Sequence, residues 1–485
     1  MSFFEISEQI LNNAFTENGD KAFNTTGSAC LDYFSLVGGM RHNTIDALNL
    51  FMKAYFEDPK TAIKLLFYVR DIRAGLGERN LFRYHFNALV NMYPNVGRQL
   101  IKYIPEYGRF DDLLVALNTP IKKDVIKFID DQLKIDVENK KNNRPISLLA
   151  KWLPSINTSS IETKELAKII ASSLGMKNVE YRKMLSFLRK DLIIENNLRE
   201  KDYTFEYNQV PGGAMMKYRN AFNDNDYDRY QLYLYNVASG KEKMNTKTLY
   251  PYQVIDKLSY SCTSDELKAL DVIWNSFERQ SISQKTIVVR DGSGSMYDNV
   301  CPSPLDVATS LAILFAEQLT GAFKNKFITF SSKPELVEIT GKTIYDKYNQ
   351  VLSYGDISNT DIYKVYKLVL DVYKHKDFKA EDALDRIVII SDMEFDCIDD
   401  GKVSTFEFFK DEFSKLGYKL PEIVFWNVRA RNVHFPVTNE NGVKLVSGAS
   451  AKIISMVTEN ISVNPYDFML ECLEKYSCFD EIIID

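Results

Sequence analysis

Residues 286–299 read TIVVRDGSGSMYDN, an apolar run that ends abruptly in an acidic, serine-bearing loop. The run from Thr286 to Val289 is short and rich in β-branched residues, which predicts a buried strand. The loop then places Asp291, Ser293 and Ser295 at alternate positions, with glycines between them. An amphipathic helix pattern follows the loop after two prolines. Strand, loop and helix together predict the first half of a βαβ unit.

The loop offers only hard oxygen ligands, one carboxylate and two hydroxyls. Ligands of open α/β sheets bind at the carboxyl ends of strands. Mg²⁺ takes octahedral coordination from one or two carboxylates, hydroxyls and retained waters. We therefore predict that this loop binds Mg²⁺ or another divalent cation such as Mn²⁺. The alternative is that its Asp and Ser residues only cap the following helix, which is a common role for both.

Residues 291–296, Asp-Gly-Ser-Gly-Ser-Met, resemble the D-x-S-x-S motif of von Willebrand factor A domains. In that family a metal-ion-dependent adhesion site also uses a threonine and an aspartate from two later loops. Thr360 precedes a predicted helix and Asp392 follows a predicted strand, so both match in order. The ligands that the resemblance implies are Asp291, Ser293, Ser295, Thr360 and Asp392. It also implies that an acidic group of a partner protein completes the shell around the metal.

Strands and helices alternate after residue 260. The predicted strands are 286–289, 326–330, 335–339, 386–390, 422–427 and 442–446, and the predicted helices are 305–320, 360–372 and 406–416. The link between the second and third strands is too short for a crossover helix, so we expect that pair to be antiparallel. In the order 3-2-1-4-5-6 of this fold, the first and fourth strands are neighbours, which brings Asp291 and Asp392 together. Arg290 departs from the family pattern, and we expect it to weaken metal binding or to pair with Asp392.

Residues 43–260 have apolar residues at three- and four-residue spacing, which predicts an almost entirely helical region. The predicted helices are 44–57, 61–72, 78–93, 96–104, 121–137, 163–174 and 179–195. Their lengths favour antiparallel pairs stacked as a HEAT-like array, although no fixed repeat period is present. Residues 203–252, with Pro-Gly-Gly at 211–213, are expected to be partly irregular. The predicted fold class is α + α/β, with a helical domain over residues 1–260 and a von Willebrand factor A-like domain over residues 261–485.

Segments rich in charge and glycine interrupt the helical region. They include YVRDIRAGLGER at 68–79, YGRFDD at 107–112, KWLPS at 151–155, YRK at 181–183 and KYR at 217–219. With these segments the chain resembles a family of uncharacterised proteins that couple an all-helical region to a carboxyl-terminal von Willebrand A-like domain. More distantly, its domain order resembles the TROVE-domain Ro ribonucleoprotein family, in which a ring of HEAT-like helices binds non-coding RNA. That resemblance implies a structured or single-stranded non-coding RNA as a partner.

Eight basic residues in these segments are candidates for phosphate contacts, with tyrosine and tryptophan nearby for stacking on bases. They are Arg70, Arg73, Arg79, Arg83, Arg182, Lys183, Arg189 and Lys190. Arginines close to aromatic residues favour single-stranded or structured RNA over duplex DNA. Ion pairs within the domain are the alternative, because acidic residues lie beside several of these arginines. We expect the pair Asp111-Asp112 to be structural, by capping a helix or by pairing with Arg109.

Composition narrows the functional classes. A chain of 485 residues is long enough for two or more domains, and a net charge of −6 gives no overall attraction for nucleic acid, so RNA binding needs a local basic patch. The sequence has no run of about 18 apolar residues and no signal-peptide pattern, which predicts no membrane association. Six scattered cysteines without a C-x-x-C pair fit reduced thiols. We therefore expect a cytoplasmic location, in a host cell or a virion if the chain is viral.

Enzymatic patterns are weak. The four histidines lie far apart in the sequence, and both the G-x-S-x-G elbow and the phosphate-binding loop of nucleotide hydrolases are missing. The leading hypothesis is a non-enzymatic RNA-binding scaffold whose A domain binds a divalent metal and recruits a partner. A metal-dependent protein adaptor that does not bind RNA is the first alternative. A Mg²⁺-dependent hydrolase is the second.

Overall fold

The structure is a computed structural model that describes residue 7 and residues 10–190, 192, 194–258, 262–331, 333–355, 362–396 and 405–484. The chain divides into two compact units, which we call the sheet unit and the helical unit. The sheet unit comprises Met1–Val69, Ala74–Leu76 and Thr246–Cys478. The helical unit comprises Arg70–Arg73, Gly77–Asn245 and Phe479–Asp485.

The described α-helices begin with α1 Ala29–Leu36, α2 Thr44–Glu57, α3 Pro59–Arg70, α4 Arg79–Met92, α5 Pro94–Leu100, α6 Ile104–Tyr107, α7 Lys122–Lys141, α8 Leu149–Trp152, α9 Ile161–Ser173, α10 Asn178–Arg189 and α11 Ile194–Glu200. They continue with α12 Gly212–Asn225, α13 Tyr227–Ala238, α14 Pro251–Leu258, α15 Ser264–Asn275, α16 Pro304–Gln318, α17 Ile344–Ser353, α18 Ile362–Tyr373, α19 Thr405–Lys415, α20 Lys452–Glu459 and α21 Pro465–Leu473. Helices α4 to α13 lie in the helical unit. In the described chain, no helix combines the length and the apolar character needed to cross a membrane.

Each of the ten helices predicted from apolar spacing overlaps at least one of these helices. The predicted helix 44–57 coincides with α2. Residues 203–252 differ from the expectation, because α12 and α13 occupy much of this stretch. Pro211 is the residue before the first turn of α12, where the amide that proline lacks has no helical partner to lose. Burial of Met215 and Phe222 then holds the helix in place. The HEAT-like stacking stays a prediction.

The sheet unit contains all described strands, namely β1 Asn13–Phe15, β2 Lys21–Phe23, β3 Thr286–Asp291, β4 Lys326–Phe330, β5 Leu336–Glu338, β6 Arg386–Ser391, β7 Glu422–Asn427 and β8 Val443–Ser447. The last six form one sheet in the order β5-β4-β3-β6-β7-β8. Neighbouring strands in this sheet are parallel, except that β4 and β5 are antiparallel. This is the predicted order 3-2-1-4-5-6 with its predicted antiparallel pair. Together with the helical unit, the sheet confirms the α + α/β class.

The two central strands of the sheet, β3 and β6, are buried at every residue. Val289 and Ile389 belong to one apolar cluster with Val365 of α18 and Phe409 of α19, while α16 packs against β3. Continuous β-branched runs suit such strands, because both of their faces are covered. Since β3 and β6 are parallel neighbours, their carboxyl ends meet at the same edge of the sheet. The residues that follow these two strands therefore lie close together.

The amino-terminal segment belongs to the sheet unit. Thr16 Oγ1 donates a hydrogen bond of 2.6 Å to the carbonyl of Phe395, and the Gly38 amide donates one of 2.9 Å to Ser447 Oγ in β8. A Cβ atom at Gly38 would lie 2.3 Å from the Ser447 carbonyl oxygen, so only glycine permits this close approach. The division into compact units thus differs from the predicted boundary at residue 260, because the first helices cover an edge of the sheet.

Candidate metal centre

The loop after β3 gathers the first three predicted ligands. The Asp291 carboxylate accepts a hydrogen bond of 2.8 Å from the amide of Ser293, which turns the chain back toward the strand end. A single 3-10 turn, Gly294–Tyr297, follows. It leaves the Ser293 and Ser295 hydroxyl oxygens 3.1 Å apart. One carboxylate and two hydroxyls therefore converge, as the D-x-S-x-S spacing predicts.

Asp392 joins this group from the neighbouring strand. It follows β6 directly and is hydrogen-bonded to the side chain of Ser295. Ser391 Oγ, one residue earlier, donates a hydrogen bond of 2.6 Å across to Asp291 Oδ2. Four of the five predicted ligands thus meet at one edge of the sheet. The fifth, Thr360, lies outside the described residues.

The two aspartates stand in a poorly solvated environment. Asp291 is fully buried and Asp392 is 2% exposed. Burial raises the pKa of Asp291, although hydrogen bonds from Ser391 and Ser293 oppose it. Burial, and next the charge of Asp291, raises the pKa of Asp392 to about 7. Two carboxylates this close repel each other. A divalent cation held by both would offset that repulsion.

The oxygen donors present fit Mg²⁺ or Mn²⁺, because hard cations prefer carboxylate and hydroxyl oxygens. The site differs from carboxylate-rich and histidine-rich metal centres, since its donors are two aspartates and two serines. Within the described residues, no group of three or more His, Cys, Asp or Glu side chains is arranged to hold a metal ion. A metal here would depend on the serine hydroxyls and on water for the rest of its shell.

Of the two expectations for Arg290, pairing with Asp392 is wrong, and weaker metal binding stays a prediction. The Arg290 side chain is 1% exposed, and its Nε and Nη2 donate to Thr309 Oγ1 of α16 at 3.2 and 3.1 Å. Successive side chains of a strand point to opposite faces, so Arg290 points toward α16. A Cβ added at Gly292 would lie 2.9 Å from Arg290 Nη1. The guanidinium therefore lies beneath the metal loop and supports its backbone.

Arg431 is the cation that pairs with Asp392. Its Nη2 lies 3.0 Å from Asp392 Oδ2 and 3.1 Å from the carboxylate of Glu17. Glu394 lies beside this pair and accepts hydrogen bonds from the Glu17 amide at 2.7 Å and from His434 Nε2 at 3.0 Å. Burial acts to raise the pKa of Glu394, but His434 and the other donors hold it below its usual value. Only the acidic spacing in SDMEF, residues 391–395, signals this network in the sequence, and it does not identify Arg431 or Glu17.

The structure places three of the eight basic RNA candidates in internal contacts. Arg70 is 4% exposed, and its Nε lies 2.7 Å from Asp112 Oδ2. Arg83 bridges Asp112 at 2.6 Å and Asp111 at 2.7 Å. Arg189 donates to the carbonyls of residues 150 and 153 at 2.7 and 2.5 Å. Ion pairing or carbonyl binding therefore accounts for these three arginines.

The other five candidates are exposed. They are Arg73, Arg79, Arg182, Lys183 and Lys190. Arg73 has a distant ion pair of 3.9 Å with Asp71. Partial burial and the charges of Arg109 and Arg83 lower the pKa of Arg79. These residues keep their positive charge available to an anionic ligand.

Asp111 and Asp112 are structural, as expected. Asp112 accepts a hydrogen bond of 2.9 Å from the Arg109 amide and caps the 3-10 helix Phe110–Asn118. Asp111 pairs with the Arg109 side chain at 2.9 Å. Two carboxylates therefore hold three guanidinium groups of the helical unit, those of Arg70, Arg83 and Arg109.

Similarity to known proteins covers nearly the whole chain. Residues 16–102 and 123–287 match the family described as a domain of unknown function (DUF2828), and residues 285–474 match a second one (DUF7788). The chain is 32% identical over 516 residues to uncharacterized protein L728 of Acanthamoeba polyphaga mimivirus, which covers 96% of this chain and 88% of that protein. A solved structure, the RO (RSR) protein of Deinococcus radiodurans, covers 87% of this chain and 92% of its own at 10% identity and a TM-score of 0.35. The predicted resemblances to an uncharacterised family and to Ro proteins are both found, the second at a TM-score too low to bear on function.

Proposed function

The chain belongs to the DUF2828 family, and we propose that its sheet unit is a divalent-metal-dependent binding module that recruits an acidic protein ligand. The observation that carries the proposal is the convergence of four oxygen-bearing side chains, from two loops far apart in sequence, at the carboxyl ends of adjacent parallel strands. They are Asp291, Ser293, Ser295 and Asp392. Helix capping alone explains Asp or Ser in one loop, but it does not explain two buried carboxylates and two hydroxyls at one place.

Each side chain has a distinct role in this proposal. Asp291 and the hydroxyls of Ser293 and Ser295 would hold the cation, and Asp392 would act on it directly or through water. When bound, the cation supplies a positive centre for a carboxylate of the partner. Arg431 pairs with both Asp392 and Glu17, so its charge is already held by carboxylates of this chain. The positive charge of the bound cation would favour an acidic ligand over a neutral one.

The test measures the melting temperature of the full chain in MgCl₂, in MnCl₂ and in EDTA. A ligand at about 100 times its dissociation constant stabilises the folded state by about 2.7 kcal/mol, which corresponds to several degrees. The double variant Asp291→Asn with Ser293→Ala should lose this gain. Asp298→Asn is the matched control, because Asp298 lies in the same loop but pairs with Arg429 at 2.9 Å. Equal melting temperatures in Mg²⁺ and in EDTA for the wild type would end the proposal.

RNA binding by the helical unit is the second candidate function. It is favoured by the five exposed cations Arg73, Arg79, Arg182, Lys183 and Lys190. Replacing Arg182, Lys183 and Lys190 by Glu should weaken RNA binding and flatten its dependence on salt, because each phosphate contact releases counterions. Lys127→Glu, at an exposed lysine of α7, is the control. If the wild-type protein does not bind RNA at low salt, the metal-dependent adaptor is the one candidate function that remains.

We propose no catalytic residues, and the non-enzymatic character of the protein stays a prediction. A Mg²⁺-dependent hydrolase would use the same metal. Incubating the chain with nucleotides and RNA in Mg²⁺ tests this directly. A product that the wild type forms and the Asp291→Asn variant does not form would favour the hydrolase. The cytoplasmic location likewise stays a prediction.

A further inference from the structure

The helical unit contains an open cleft of about 810 Å³. Its walls come from the 3-10 helix Phe110–Asn118, from residues 151–158 after α8, and from α9. Pockets for small molecules and cofactors span roughly 300–1,000 Å³. The cleft therefore has the size of a small-molecule site, and it is separate from the metal loop in sequence and in compact unit.

One wall is aromatic and apolar. The Trp152 side chain is half-buried, and the Arg109 guanidinium lies 3.7 Å from the centre of its ring. Arg109 is itself held by Asp111 at 2.9 Å, so the indole is fixed in orientation before any ligand arrives. Leu114 and Leu166 line the same cleft. This wall suits a flat or apolar body, because aromatic side chains stack on such groups.

The lining also carries excess positive charge. Arg83, Lys151 and Arg189 face the cleft with a single acid, Asp111. Arg83 is already paired with Asp111, and Arg189 is occupied by backbone carbonyls. Lys151, by contrast, has no carboxylate within ion-pair distance in the described chain, and its Nζ lies 5.5 Å from the Trp152 ring. One half-buried ammonium is thus left without a counter-charge.

Neutral donors line the same cleft. The side chains of Asn157 and Thr158 line the cleft and make no hydrogen bond to the described part of the chain. Phosphate accepts several hydrogen bonds at once, whereas a single carboxylate accepts fewer. An uncommitted lysine with free amide and hydroxyl groups therefore matches a phosphate group better than a carboxylate. The fixed indole beside it matches the rest of the molecule.

We propose that this cleft binds a small organic phosphate with an aromatic body, of which a nucleoside monophosphate is the simplest representative. The phosphate contacts Lys151, Asn157 and Thr158, and the aromatic ring packs against Trp152 and Leu166. The proposal goes beyond metal-dependent recruitment, because it uses none of the metal ligands.

Tryptophan fluorescence of the full chain tests it, with AMP as the probe. The chain has three tryptophans, and Trp274 and Trp426 are fully buried, so a quencher from solvent reports mainly on Trp152. AMP should quench the wild type, and Trp152→Phe should remove the response. Calorimetry then compares Lys151→Gln with the wild type, because the lysine lies against the indole and its replacement alters the fluorescence. We expect Lys151→Gln to weaken AMP binding about tenfold or more.

The controls distinguish the contribution of the charge to binding from that of the ring. They also distinguish binding in the cleft from binding at the metal site. Lys127→Gln, at an exposed lysine of α7 that does not line the cleft, should bind AMP as the wild type does. Adenosine should bind more weakly than AMP, because it lacks the phosphate. AMP binding should persist in EDTA and in Asp291→Asn, where the metal-dependent function is lost. The proposal is overturned if AMP does not bind at about 1 mM, if Lys151→Gln binds normally, or if EDTA abolishes binding.

Discussion

Replacing Arg70 by Gln should destabilise the helical unit. Arg70 is 4% exposed, and its Nε lies 2.7 Å from the Oδ2 atom of Asp112, which is fully buried. Glutamine cannot supply the positive charge, so Asp112 would keep a buried negative charge with one partner fewer. A Cβ at Gly108 would lie 3.0 Å from Arg70 Nε, which shows how tightly the pair is enclosed. Rearrangement around the variant is therefore restricted.

The size of the effect follows from what Asp112 retains. Removing one partner of a buried ion pair costs about 3–5 kcal/mol. Asp112 still accepts from Arg83 Nε at 2.6 Å and from the Arg109 amide at 2.9 Å, so we expect the lower end, about 3 kcal/mol. Arg73→Gln is the matched control, since its side chain is 58% exposed and lies 3.9 Å from Asp71. Such an exposed pair contributes at most about 1 kcal/mol.

Urea unfolding followed by circular dichroism measures both variants. With a slope of about 3 kcal/mol per molar urea, Arg70→Gln should lower the midpoint by about 1 M, and Arg73→Gln should barely change it. Combining Arg70→Gln with Asp112→Asn should cost less than the sum of the single changes, because the two residues interact directly. An Arg70→Gln variant within about 0.5 kcal/mol of the wild type would refute the reasoning and return Arg70 to the RNA candidates.

Three further predictions concern pH, the metal loop and the cleft. Burial, and then the charge of Asp256, raises the pKa of Asp306 from 3.8 to about 6, so the stability that Asp306 contributes is full below about pH 4 and is lost as the pH rises to 6. Asp306→Asn should therefore flatten the decline of the melting temperature between pH 4 and 6, and an unchanged decline would contradict this. Gly292→Ala should reduce the gain in melting temperature from Mg²⁺, because its Cβ would displace Arg290 beneath the loop; a wild-type gain would show that the loop adapts. Tyr181→Phe should cost about 1 kcal/mol in urea unfolding, because the buried Tyr181 hydroxyl donates to the Pro154 carbonyl at 3.1 Å; no loss would mean that this bond contributes nothing.

The sheet could be predicted from the sequence because its central strands are covered on both faces. A strand in that position is a short continuous apolar run. For this reason the predicted bounds of strands 326–330 and 422–427 equal those in the structure. The short link before β5 predicted the antiparallel pair, and the strand order is the one typical of the fold that the D-x-S-x-S resemblance implies. The meeting of Asp291 and Asp392 then followed from topology alone. No other knowledge of their contacts was needed.

The surroundings of the metal centre could not be predicted in the same way. Arg431 reaches Asp392 from the loop after β7, and Glu17 reaches Arg431 from the amino-terminal hairpin. Neither residue stands in a motif, and a single Arg or Glu in a polar loop carries no information about its partner. One of the two expectations for Arg290, pairing with Asp392, failed because its guanidinium donates to Thr309 of α16 instead.

The basic residues show that the sequence alone does not reveal which positive charges are available to a ligand. Arg182 and Arg189 lie on the same helix, α10, and both are flanked by lysine and aromatic residues. Seven residues bring a helix back to nearly the same face, so helical position does not distinguish the two arginines. Local packing alone decides which side chain meets backbone carbonyls. Arg189 meets three acceptors, while Arg182 is exposed. A positive charge counted in the sequence is therefore available to RNA or to another anion only when no internal acceptor lies within its reach. Lys151 satisfies that condition inside a cleft, and Arg182 satisfies it on an open surface.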